Sequence, residues 1–149
     1  MSNIQIWVDG DACPALAKQI LFRAAIRTQT KLVFVANHLS KIPPSPYLSI
    51  VMVTSGFDEA DNYITANAEA GSLVITADIP LAANVINKGC MALNPRGMLY
   101  DANNIKQQLA VRNLMADLRS NMTISGGPNS YSKNDAQVFA SSLDRVLTK

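Results

Sequence analysis

Short runs of β-branched and other apolar residues alternate along the chain with longer stretches in which apolar positions recur every three or four residues. That alternation predicts an α/β fold. Residues 4–8 form the first apolar run and stop at Asp9-Gly10-Asp11. Pro14 then suits the first position of a helix reaching about residue 28, because that position needs no amide donor. Residues 31–36 (KLVFVA) predict the second strand. Pro43, Pro44 and Pro46 mark residues 37–47 as an extended surface loop, since each removes a backbone donor. Residues 50–53 are the third strand. After Thr54-Ser55-Gly56-Phe57-Asp58 comes a helix with Ala60, Tyr63, Ile64 and Ala68 on one face, ended by Gly71. Residues 73–76 are the fourth strand, stopping at Asp78; Pro80 starts a helix that Gly89 closes; residues 90–93 are the fifth strand.

Beyond the Asn94-Pro95-Arg96-Gly97 turn, a helix is predicted over 103–120, with Val111, Leu114, Met115 and Leu118 at core spacing. Gly126-Gly127-Pro128 breaks the chain, and Ser132 can cap a last helix with an apolar stripe of Phe139, Leu143, Val146 and Leu147. Together these elements predict an α/β, three-layer domain around a mostly parallel five-stranded sheet. In the order 3-2-1-4-5, strands one and four flank the point where the winding reverses, the usual ligand crevice of open α/β sheets.

Composition narrows the partners. A chain of 149 residues predicts one domain over 1–149, and 48% hydrophobic with 16% charged residues excludes a disordered or coiled-coil chain. Thirteen basic against eleven acidic residues give a charge of +2, so any nucleic-acid binding must be local. The longest uncharged window, 42–57, contains three prolines and three serines and cannot form a membrane helix; no leader pattern precedes the first strand, which predicts no membrane association and a cytoplasmic location. Cys13 and Cys90 are too far apart for a CxxC pair and fall at opposite sheet edges, predicting free thiols. A single histidine, His38, cannot build a His-rich metal site. The absence of GxGxxG and GxxxxGK[ST] leaves no support for a nucleotide cofactor.

The carboxylates carry the chemistry. Asp9 and Asp11 follow strand one, Asp78 follows strand four, and Asp58 and Asp61 open the helix after strand three, all at the carboxyl edge. Clustered like charges are costly without a cation, and an oxygen-only set suits a hard ion such as Mg²⁺ or Mn²⁺, which points to metal-assisted phosphodiester hydrolysis. Capping competes with this reading: Asp58 can be an N-cap, Asp61 and Asp135 sit in first helical turns, and Asp78 precedes a helix. Arg96 suits a phosphate, or simply braces its turn. Arg112 and Arg119 read as a solvated face, and His38 as incidental.

Four blocks, residues 6–14 (IWVDGDACP), 56–62 (GFDEADN), 73–82 (LVITADIPLA) and 92–97 (ALNPRG), resemble the YaiI/YqxD family of uncharacterised bacterial proteins. The likeness covers nearly the whole chain. The family is similar to PIN-like nucleases, whose acids bind a divalent metal and cut RNA. The resemblance implies metal-binding and catalytic roles for Asp9, Asp61 and Asp78. Asp11 belongs to the family's Asp-x-Asp block, where Gly10 replaces an expected Ala in what reads as a mild change. The resemblance extends to Gly126-Gly127-Pro128 and Asp135, with Ala136 where an Arg is usual. Two alternatives stay open. Asp9-Gly10-Asp11 also mimics the nucleophile and acid of haloacid-dehalogenase-like phosphatases, though these insert a flap before the first helix. The other is a PIN-like module that binds RNA or protein without cutting.

Overall fold

The computed structural model describes residues 4–37, 41–54, 59–120 and 130–148. Its strands are β1 (Ile6–Asp9), β2 (Leu32–Ala36), β3 (Leu48–Met52), β4 (Leu73–Ile75), β5 (Met91–Leu93) and β6 (Leu99–Tyr100). Its helices are α1 (Ala15–Thr28), α2 (Glu59–Asn67), α3 (Ile79–Asn87), α4 (Ile105–Ser120) and α5 (Lys133–Leu147). One sheet runs β3-β2-β1-β4-β5-β6, parallel except for the last pair. The expected order holds, with a sixth strand added.

Every residue of β1 and β2 is buried, as expected of parallel strands covered on both faces. Because side chains alternate, Ile6, Val8, Leu32, Phe34, Leu73 and Ile75 pack beneath α1 and α5. Trp7, Val33, Val35 and Val74 face the opposite layer of α2, α3 and the start of α4. This is the three-layer arrangement. Val8 aligns with Ile75, so the next residues, Asp9 and Thr76, lie side by side on the α2 and α3 face. They lie where β1 and β4 meet and the winding reverses.

Three expectations need correction. First, the sheet has six strands: the 94–97 turn closes a hairpin, with Asn94 N–H donating to Met98 O at 2.8 Å and Gly97 at φ +100, and β6 pairs antiparallel with β5. Two residues are too few to give a readable alternation. Second, Pro14 caps α1 from outside, after a 3-10 turn over Gly10–Ala12.

Third, most of the stripe in α4 faces away from the core. Val111, Leu114 and Leu118 are exposed and only Met115 of the stripe is half-buried, whereas Ile105 is buried and Gln108 and Leu109 are half-buried. The helix packs against α3 through its first turns, where Ile105 joins Leu81, Ala82 and Val85. Gly10 leaves no room for a side chain. A Cβ there would lie 2.3 Å from the ring of Phe34, which is fully buried between α1 and the sheet. His38 and the Gly-Gly-Pro break at 126–128 lie outside the described residues.

Candidate functional site

At the end of β1, Asp9 is 7% exposed, and the Thr76 hydroxyl donates to its Oδ2 at 3.2 Å. The same hydroxyl oxygen accepts from the Asp78 N–H at 2.9 Å. One threonine thus ties the carboxyl ends of β1 and β4 together and fixes the direction of its own proton. Burial pushes the Asp9 carboxyl up to about 6; the Thr76 bond acts against this, and repulsion from Asp78 and Asp11 adds to it. The three carboxylates therefore interact across the crevice.

Asp78 realises its capping alternative: its Oδ1 accepts from Leu81 N–H at 3.0 Å and starts α3. Its other oxygen has no hydrogen bond among the described residues. Asp11 is exposed and accepts from the Asn37 N–H at 3.1 and 3.0 Å, bridging the end of β1 to the end of β2. Asp61, in the first turn of α2, is half-buried. Asp61 and Asp78 both line a cavity of about 460 Å³, with Asn62 and Thr65 of α2, Asn84 of α3 and Arg112 of α4. Asp58 lies outside the described residues.

Arg96 and Asp135 sit elsewhere. Arg96 Nη1 donates to Asp135 Oδ2 at 2.8 Å, and its guanidinium lies over the Tyr131 ring, 5.8 Å from the centroid. Asp135 also completes a capping box with Ser132 at the start of α5; its carboxyl is held below the usual range, first by the Ser132 N–H and also by Arg96. This pair braces the 94–97 turn against α5, in the layer away from the cavity. Arg96 is not among the residues lining that cavity.

One participant escaped the sequence reading: Thr76 was visible as part of Thr-x-Asp, with period-two alternation placing it beside Asp9. Arg112 is exposed, as a solvated face requires, and also borders the cavity. Both cysteines are free and buried, and burial pushes the Cys13 thiol up to about 12, so it is no nucleophile.

The donor set fits a hard divalent ion. Asp9 and the free oxygen of Asp78 are oxygen donors at one sheet edge whose repulsion favours a cation between them, and Asp61 shares a cavity with Asp78. Among the described residues no three acidic, His or Cys side chains form a ready-made metal cage. Mg²⁺ does not require one, since it commonly takes one or two carboxylates and keeps several waters.

The family model described as uncharacterised YaiI/YqxD (DUF188) matches residues 7–149. The chain belongs to the YaiI/YqxD family. A UPF0178 protein of Shewanella sp. (strain MR-7) is 56% identical over 149 residues, covering 100% of this chain and 98% of the relative. A UPF0178 protein of Syntrophotalea carbinolica is 53% identical over 146 residues, covering 98% of this chain and 99% of the relative. No solved structure matches the chain. The carboxylate crevice therefore belongs to a YaiI/YqxD chain whose relatives share its full length. Among the described residues no helix is long and apolar enough to cross a membrane.

Proposed function

We propose that this YaiI/YqxD chain is a PIN-like, divalent-metal-dependent nuclease that hydrolyses RNA phosphodiesters in the crevice between β1 and β4. The observation that carries the reading is the Asp9–Thr76–Asp78 chain of hydrogen bonds. It places a buried carboxyl, raised to about 6, at the winding switch of an open α/β sheet. Asp9 and Asp78 would hold the ion, with Asp61, which shares a cavity with Asp78, and Asp11, two residues after Asp9, completing its shell. Bound there, Mg²⁺ or Mn²⁺ supplies positive charge to the phosphate oxygens and activates water. Thr76 keeps the Asp9 carboxylate oriented, and the N-cap bond to Leu81 does the same for Asp78. Burial of Asp9 keeps competing water away from that carboxylate.

The phosphatase alternative is less well supported. Only the Gly10–Ala12 turn, Cys13 and Pro14 separate β1 from α1, which leaves no segment to serve as a flap. The test is cleavage of labelled single-stranded RNA by wild type and Asp9→Asn in Mg²⁺, in Mn²⁺ and in chelator. The reading expects cleavage by wild type with metal only. Cleavage that persists in chelator, or that is equal in Asp9→Asn, sinks the mechanism. No cleavage of any RNA would favour the binding-only module.

A further inference from the structure

We infer that the cavity between α2, α3 and α4 receives one nucleoside monophosphate unit, with Arg112 as its phosphate ligand and the Asn62 and Asn84 amides meeting its base. The inference rests on the nuclease reading for the class of ligand, but its test needs no turnover. At about 460 Å³ the cavity lies at the lower end of the range for small-ligand pockets, room for a nucleotide and not for a double helix.

Its lining carries both charges. Asp61 and Asp78 line it from α2 and the start of α3, where a cation would be drawn, and the exposed Arg112 lines it from α4. The guanidinium's one hydrogen bond is to the neighbouring Asn113 Oδ1, at 3.2 Å, and among the described residues no carboxylate pairs with it. Four of its five donors are left, in a fork that matches phosphate oxygens. Arg96, the phosphate ligand expected from the sequence, is instead committed to Asp135. A cation on the carboxylates and a phosphate on the arginine would complete the cavity's electrostatics together, which neither ligand does alone.

The remaining polar lining suits a base. The side-chain amides of Asn62 and Asn84 make no hydrogen bond among the described residues, and each presents a donor and an acceptor of the kind that pairs with a base edge. Pro80 and Leu81 supply an apolar wall.

Mononucleotides have no internucleotide bond to cut, so binding can be measured with Mg²⁺ present. The full chain is titrated by calorimetry with adenosine and uridine 5′-monophosphates, with the matching nucleosides and with inorganic phosphate. The expected result is that a mononucleotide binds more tightly than both its nucleoside and inorganic phosphate. Arg112→Gln should weaken the mononucleotide about tenfold or more and leave the nucleoside unchanged, while Arg112→Lys, which keeps the charge but not the fork, falls between. Mn²⁺ binding by Arg112→Gln, measured without nucleotide, should be equal to or tighter than wild type, because a like charge has gone.

Equal binding of phosphate and mononucleotide, wild-type mononucleotide affinity in Arg112→Gln, or no mononucleotide binding at all overturns the assignment. RNA cleavage without mononucleotide binding would remove this pocket and leave the nuclease. Binding without cleavage would do the reverse.

Discussion

Replacing Asp9 by Asn should stabilise the metal-free protein at neutral pH. The carboxyl is 7% exposed and its pKa stands at about 6 against an ordinary 3.8, a difference of about 3 kcal/mol between its two protonation states. Because the folded value is raised, the folded chain binds the proton more tightly than the unfolded chain. The stabilising contribution of protonated Asp9 is complete below pH 3.8 and is lost as pH rises through about 6. Above that, the ionised group weighs against folding by its full difference. Asn is uncharged and keeps an oxygen to accept from Thr76, so Asp9→Asn should be about 2–3 kcal/mol more stable at pH 7.5.

The advantage should shrink between pH 6 and pH 4 and vanish below. Taking the difference between the two proteins cancels groups of opposite sign, such as Asp135, whose lowered carboxyl favours folding above its ordinary range. Urea unfolding of both proteins in chelator at pH 4, 5, 6, 7 and 8 measures it. Adding Mg²⁺ at ten times its dissociation constant should return about 1.4 kcal/mol to wild type alone. An Asp9→Asn protein less stable than wild type at pH 7.5 would refute the reasoning, since Asp9 would then be a favourable structural anion.

Three further predictions separate site from scaffold. Thr76→Val removes the donor to Asp9 and the acceptor for the Asp78 N–H at once, and urea unfolding should register a loss of about 1–3 kcal/mol, with the Asp9 carboxyl, followed by NMR titration, moving still higher. Gly10→Ala should cost about 1–3 kcal/mol by forcing its new Cβ against the Phe34 ring, and Phe34→Leu should recover part of that cost in the double variant; strict additivity of the two would show that they do not collide. Leu114→Ala, at an exposed position, should change stability by less than about 0.5 kcal/mol, whereas Phe139→Ala in the α5 core should cost about 3–5 kcal/mol; similar losses from both would put the apolar stripe of α4 in contact with the rest of the molecule.

Residues that speak through a local period were legible, and those that speak through a tertiary neighbour were not. The central strands β1, β2, β4 and β5 could be read because burial on both faces demands unbroken apolar runs, which helices punctuated by Pro and Gly do not imitate. The carboxyl-edge positions of Asp9 and Asp78 followed from strand order alone. Sequence could not say that Asp9 would be buried while Asp11 stayed exposed two residues later. That depends on the Gly10–Ala12 turn carrying the chain out past Phe34 toward Asn37.

Sequence also offered α4 two amphipathic faces. The more apolar one was the natural choice, because burial is usually the larger energy. The structure instead buries Ile105 and half-buries Gln108, Leu109 and Met115, and the exposed Arg112 borders the same cavity as Asp61 and Asp78. Val111, Leu114 and Leu118 are what this orientation leaves to solvent, and the same rotation accounts for the misread core stripe.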